Sequence, residues 1–241
     1  GELDLQAPNP EFAPVNQLTV SGNGCGPAAL LNAFGCGNDK WREIEHTIPG
    51  QSHKSKLTYV IRGYGLKPSS HLDRLRWTRD RGVNLADLTD MANEMRGGRW
   101  LPTIKKEVFV AKRGESGPKL VRRIHGRLAR SLKKGLPPVL SLQRMARPSK
   151  GATDALSWRL VHGHFIVITA LPSKLERNAI WFPIRYIDPW GGKVQEGTIQ
   201  FDPAAHYPAA IAVVPQTEVG KRYVRASERS LITVAGTMGA F

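Results

Sequence analysis

The hydrophobic pattern of this chain changes once, near residue 135, and that change restricts the folds available to it. Before it, apolar residues recur at helical spacing, most clearly over residues 118–134. After it, short apolar runs rich in β-branched residues alternate with turn residues, which predicts strands. Helices followed by successive strands predict an α+β fold with an antiparallel sheet. We expect a single domain over residues 1–241, helical to about residue 134 and sheet from about residue 135.

The boundaries of the elements follow from caps, glycines and alternation of apolar residues. Helices are predicted over 26–34, 39–48, 55–64, 85–95 and 118–134, with Asn84 as the cap of the fourth. Strands are predicted over 107–112, 137–143, 164–171, 179–188, 198–201 and 209–214. The polar and basic segment 145–160 is predicted to be a long loop between two strands.

The two cysteines, Cys25 and Cys36, lie on either side of the first predicted helix. A helix over most of that interval separates the two sulfurs by on the order of 13–16 Å. A disulfide needs Cα atoms within about 7 Å of each other. We therefore expect two free thiols, which excludes a disulfide-rich secreted scaffold.

The net charge of +15 favours anionic partners such as nucleic acid, an anionic membrane or wall polymer, or an acidic protein. A soluble protein whose surface is merely basic would carry the same excess of positive charge. The basic face of residues 118–134 could likewise be a solvated surface or a docking face for an anionic partner. No apolar run approaches the roughly 18 residues of a membrane helix, so we expect no membrane span. The start at Gly1 leaves room for an export signal upstream, and we expect a periplasmic or extracellular protein.

Cys25 follows a glycine turn at the predicted start of a helix, in the sequence GNGCGPAALL. Unpaired N–H groups and the positive end of the helix dipole favour a thiolate there. Gly24 and Gly26 leave space for a substrate backbone to approach the sulfur. The setting predicts a nucleophilic cysteine, although a Cys-Gly-Pro sequence is weak support when taken alone.

His164 begins an apolar β-branched strand, and His162 precedes it by two positions on the same side of an extended chain. Either histidine could be a general base, and either could instead be satisfied by the backbone. Together they could bind a metal, but no third ligand at zinc spacing is apparent, so we expect no metal site.

Asp188 ends a later strand, in the sequence RYIDPWGG. If strands 164–171 and 180–188 pair in antiparallel fashion, the start of the first lies beside the end of the second. His164 and Asp188 then meet at one edge, where the carboxylate could accept the Nδ1–H of the imidazole and orient it. The alternative is a turn aspartate that caps its own backbone.

Three motifs in this order resemble the papain-like peptidases related to the bacteriocin-processing, double-glycine-leader enzymes. They are Cys-Gly-Pro-Ala-Ala at a helix start, Gly-His-Phe before an apolar strand, and Asp-Pro-Trp-Gly-Gly after a further strand. The resemblance implies a papain-like fold whose helical lobe carries Cys25 and whose sheet carries His164 and Asp188. It further implies cleavage of peptide or protein substrates through an acyl-enzyme, with no cofactor.

The resemblance also implies a glutamine upstream of the cysteine that binds the oxyanion. Gln17 is the candidate, although its separation from Cys25 exceeds the usual one, and Asn23 is the alternative. A transglutaminase or acyltransferase would use the same triad with another acceptor. A papain-like scaffold without catalysis, which binds an anionic partner through its basic surface, is the rival from another class.

Overall fold

The structure, a computed structural model, describes residues 2–151, 157–203, 209–214 and 216–241. Within these residues five α-helices occur, and four of them precede most of the strands. Their bounds are α1 Cys25–Gly35, α2 Asp39–Thr47, α3 His53–Val60, α4 Leu85–Arg96 and α5 Gly117–Lys133, with a π-helical turn at Ile61–Gly65 after α3. None of the helices in the described ranges is long and apolar enough to cross a membrane.

The helices begin and end close to where their caps predict. The side chain of Asn84 accepts a hydrogen bond from the backbone N–H of Asp87 and caps α4, as predicted. Ser116 caps α5 in the same way. The apolar stripe of α5 is buried, as its spacing predicts, and consists of Leu120, Val121, Ile124, Leu128 and Leu132.

The strands form one antiparallel sheet, so the fold is α+β as predicted. Their bounds are β1 Leu5–Gln6, β2 Lys105–Val108, β3 Val139–Pro148, β4 Arg159–Leu171, β5 Trp181–Asp188, β6 Lys193–Gln200, β7 Ile211–Val213 and β8 Glu228–Gly239. The order is β1-β4-β3-β8-β7-β6-β5, with β2 on β8. An additional pairing of β4 with β5 closes the strands from β3 to β8 into a ring, in which β7 and β8 meet at the single pair Ile211–Thr233.

The sequence-based prediction for segment 145–160 is wrong at both ends. β3 continues to Pro148 and β4 begins at Arg159, so the first four and the last two residues of the predicted loop are strand, while residues 152–156 lie outside the described residues. Polar residues enter the strands because tertiary contacts satisfy them: the buried Arg144 guanidinium donates to the carbonyl oxygens of Thr217 and Val219, at 2.9 and 2.7 Å. Because β4 begins at Arg159, His164 lies inside β4 rather than at its start.

The predicted antiparallel pairing of the strands that carry His164 and Asp188 is confirmed. Val167 of β4 lies opposite Ile187 of β5, and the two strands run in opposite directions. The buried helix α1 packs on β4 from the side of the helical layer. This arrangement places the start of α1 beside the part of β4 that carries His164.

Candidate active site

Cys25 is the first residue of α1, and its side chain is almost fully buried. The preceding Gly24 is the N-cap and offers no side-chain hydrogen bond, so no side chain of the cap satisfies the first-turn N–H groups. A Cβ on Gly26 would lie 2.4 Å from Val83 Cγ1, so only glycine lets this turn of the helix pack as closely as it does. Cys25 and Cys36 are both free thiols, as predicted.

His164 and Asp188 form a buried pair. The Nε2 atom of His164 lies 2.7 Å from Oδ1 of Asp188, and both side chains are only 4% exposed. The nitrogen is Nε2, whereas the sequence analysis expected Nδ1; His164 lies inside β4, and its ring presents Nε2 to the end of β5. The structure therefore brings Asp188 to His164 and not to His162.

Asp188 receives two further hydrogen bonds. The backbone N–H of Trp190 donates to Oδ1 at 3.0 Å, and the hydroxyl of Thr217 donates to Oδ2 at 3.0 Å. Burial alone would raise the pKa of Asp188, but the hydrogen bond and charge of His164, together with these two donors, outweigh it and lower the pKa. The group is therefore held as a carboxylate.

The protonated form of His164 is stabilised in the same site. Burial would lower the pKa of His164, but the hydrogen bond to Asp188 and the neighbouring Cys25 raise it to about 9. The buried Nδ1 atom meets no partner with complete hydrogen-bond geometry among the described residues. The Cys25 sulfur is nevertheless near enough to contribute to the raised pKa of His164, so the three side chains interact as one group.

The two oxyanion candidates occupy different places. Gln17 is fully buried, its Nε2 donates to the carbonyl of Gly22 at 2.9 Å, and its Cβ lies beside Gly24. Asn23 lines the cleft next to Cys25, and its Nδ2 donates to the carbonyl of Arg79 at 2.7 Å. Each amide nitrogen retains one further N–H, so both residues stay candidates.

A cleft of about 550 Å³ opens on the Cys25 and His164 side chains. One wall comes from the helical layer and the other from β3 and β4. The apolar side chains of the walls include Val83, Leu85, Val108, Leu142, Leu160 and Phe165. Such a mixed cleft, apolar with a few convergent polar groups, suits a peptide or other small organic group.

His162 also lines the cleft but has other contacts. Its Nδ1 atom lies 2.5 Å from the carbonyl oxygen of Gly163, and its ring stacks on Tyr223 with centroids 6.4 Å apart. One group of three potential metal ligands is present in the described ranges, His71 with Asp87 and Asp90. It includes neither His162 nor His164.

Sequence reasoning missed the residues behind Asp188. Thr217 lies in a segment without periodic pattern, and the buried Arg144 fixes its carbonyl from β3. Burial raises the pKa of Tyr186 to about 12, and its hydroxyl lies beside the Thr217 side chain. No local signal marks these residues, because only the closed sheet brings them to Asp188.

A buried carboxylate holds a histidine, the histidine adjoins a cysteine at a helix N-terminus, and the cysteine and the histidine line an open cleft. Comparisons of the chain with protein-family models, curated proteins and solved structures find no match.

Proposed function

We propose that the protein is a thiol hydrolase with a papain-like fold, and that it cleaves amide bonds of peptides or proteins through Cys25, His164 and Asp188. The observation that supports this most is the position of His164, which hydrogen-bonds the Asp188 carboxylate at 2.7 Å while Cys25 raises its pKa further. A structural histidine buried against a carboxylate has no need of a thiol on its other side or of a cleft at that point.

The chemistry follows the nucleophile–base arrangement. His164 takes the Cys25 proton, or already holds it as an imidazolium, and the sulfur attacks the carbonyl carbon of the substrate to give a tetrahedral oxyanion. The oxyanion accepts hydrogen bonds from the Cys25 backbone N–H and from the side-chain amide of Asn23 or Gln17. His164 then protonates the leaving amine as the C–N bond breaks, which leaves a thioester.

Hydrolysis of the thioester uses the same groups in reverse. His164 removes a proton from water, the hydroxide attacks the acyl carbon, and the sulfur leaves as a thiolate that regains the proton. Asp188 keeps its negative charge throughout and stabilises the imidazolium. Its three hydrogen-bond donors keep it ionised although it is buried.

The test is hydrolysis of a fluorescence-quenched peptide library by the native protein and by Cys25→Ala, with Cys36→Ala as the matched thiol control. We expect cleavage by the native and Cys36→Ala proteins and none by Cys25→Ala. Full activity of Cys25→Ala would exclude the proposed nucleophile. Products joined to an added primary amine, in place of free acids, would identify a transferase with the same triad. No cleavage together with slow alkylation of Cys25 would identify a catalytically inactive binding scaffold.

The oxyanion donor is identified by two single substitutions in the same assay. Loss of one such donor typically lowers kcat by about 10²–10³-fold. We expect one of Asn23→Ala and Gln17→Ala to show a loss of this size, with an unchanged alkylation rate of Cys25. Near-native activity of both variants would leave the backbone N–H of Cys25 as the donor.

A further inference from the structure

Three exposed arginines lie between the 3₁₀ turn Lys221–Tyr223 and the start of β8, the first within the turn and the last within the strand. They are Arg222, Arg225 and Arg229, and we call them the basic rim. No carboxylate forms an ion pair with any of the three in the parts of the chain that the structure describes. Their charges are therefore available to a partner.

The acidic residues of the same segment are already neutralised. Glu218 pairs with Lys221 at 3.0 Å. Glu228 receives two hydrogen bonds from the Arg159 guanidinium, at 2.9 and 2.7 Å, and these hold its pKa at about 2. The segment thus presents a net positive surface, on which Glu228 is held chiefly by Arg159 and secondarily by the charge and the backbone N–H of Arg225.

The basic rim connects to the cleft through stacked side chains. The His162 ring, which lines the cleft, stacks on Tyr223 with centroids 6.4 Å apart and planes within 5°. The guanidinium of Arg222 lies 4.8 Å from the Tyr223 ring centroid and donates to its hydroxyl at 2.6 Å. A chain extending from Cys25 along this wall would reach Arg222 after passing two rings.

The cleft itself does little to repel a negative ligand. Among the described lining residues Asp80 is the only acidic one, and Arg81 stands next to it. An exposed ion pair contributes little when isolated, but several cations on one surface act together on an acidic partner and accelerate its association.

We propose that the basic rim binds an acidic segment of the peptide substrate. That segment lies a few residues along the substrate from the peptide bond that Cys25 attacks. The inference rests on the proposed function, because it places the acidic segment relative to the proposed site. A peptide fits better than a nucleic acid, since the cleft that Cys25 and His162 line also has apolar lining residues such as Val83 and Leu160. The resulting substrate class is peptides with glutamate or aspartate flanking the cleaved bond.

The experiment measures binding without catalysis, by fluorescence anisotropy of Cys25→Ala protein with fluorescein-labelled peptides. The peptides share one apolar core and differ only in a flanking run of glutamates or of glutamines. We expect the acidic peptide to bind about tenfold more tightly at low salt and to lose this advantage as salt is added. Equal affinity of the two peptides would overturn the proposal.

A pair of double variants in the Cys25→Ala background locates the effect. Arg222→Gln with Arg225→Gln should weaken binding of the acidic peptide about five- to tenfold and leave the glutamine peptide unchanged. The matched control is Arg130→Gln with Lys133→Gln, which removes the same charge from the exposed face of α5. Thermal unfolding confirms that all variants fold. Equal losses in the two double variants would show that net charge, not the basic rim, binds the peptide.

Two further outcomes separate the alternatives. An oligonucleotide of equal charge that displaces the acidic peptide at lower concentration would assign the rim to nucleic acid and overturn the proposal. Failure of the native protein to cleave any peptide would refute the proposed function, whereas the binding difference would still be measured on the same cleft. Loss of the binding difference with cleavage intact would refute only the role of the rim.

Discussion

The hydrogen bond from Thr217 to Asp188 gives a sharp test of the site, because it lies behind the proposed triad and touches no substrate. Thr217 is 1% exposed and Asp188 is 3% exposed, so water cannot replace a lost donor. Thr217→Val keeps the shape of the side chain and removes only the hydroxyl. The Oδ2 atom of Asp188 then loses the donor that lies 3.0 Å away.

The expected size follows from that one contact. A hydrogen bond to a charged group contributes about 1.5–3 kcal/mol. The imidazolium of His164 is stabilised by the ionised Asp188 carboxylate. Loss of about 1.5 kcal/mol of this stabilisation, the lower end of the range, would lower the rate of Cys25 alkylation about tenfold. The pKa of Asp188 rises without the donor, so the acid limb of the Cys25 alkylation profile moves to higher pH.

The effect on stability has a defined sign. The pKa of Asp188 is lowered in the folded protein, so its ionised form stabilises the fold above the unfolded pKa of about 3.9, and this stabilisation is lost as the pH falls. We therefore expect Thr217→Val to lower the free energy of unfolding near neutral pH, by a difference that shrinks in acid. Denaturant unfolding at a series of pH values measures this difference.

Two variants control for general damage to the core. Thr237→Val removes a buried hydroxyl that donates to the Val139 carbonyl at 2.7 Å, far along β8 from any contact with Asp188. It should lower stability without moving the alkylation profile. Thr217→Ser keeps the hydroxyl and should therefore keep the native alkylation profile of Cys25. A native profile in Thr217→Val, or equal impairment of Thr217→Ser, would refute the reasoning.

Three further predictions concern the thiols, the helix start and the base. Iodoacetamide should label Cys25 much faster than Cys36, because burial raises the pKa of Cys36 to about 12. Mass spectrometry of the labelled peptides measures the two rates, and equal rates would contradict the assignment of Cys25 as the nucleophile. Gly26→Ala should destabilise the fold by about 1–3 kcal/mol in denaturant unfolding, because the new Cβ would lie 2.4 Å from Val83 Cγ1. His164 has a folded pKa of about 9, above its usual 6.5, so its charge stabilises the fold fully below pH 6.5 and this stabilisation is lost as the pH rises through 9. His164→Gln should flatten the fall in unfolding free energy over that range, and an unchanged pH dependence would count against the charged pair.

The residues of the candidate site can be predicted from local sequence more readily than the contacts that position those residues. Cys25 at a helix start and Asp188 at a strand end are marked by glycines and proline, which local geometry requires. Their meeting with His164 follows from one antiparallel pairing of neighbouring strands. These features involve short-range chain geometry, so a pattern of residue types suffices to predict them.

The remaining structure depends on contacts between distant parts of the chain. The strand character at the end of segment 145–160 was missed because Arg159 resembles a loop residue until its guanidinium meets the distant Glu228 carboxylate. The role of Thr217 itself has no local signal. The identity of the ring nitrogen, Nε2, depends on how β4 passes His164 under the end of β5, which the spacing of residues does not determine.

The ring of strands has one narrow seam, and its position has a consequence for folding. β7 and β8 meet at the single residue pair Ile211–Thr233, while β3 and β8 pair over most of their length. The buried guanidinium of Arg144, on β3, holds the segment that follows β7 by donating to the carbonyls of Thr217 and Val219. The helical layer and the β3–β8 ribbon can therefore assemble first, and the segment that carries Thr217, between β7 and β8, docks last. Amide hydrogen exchange should be fastest there, and the finished site should form only when the seam closes.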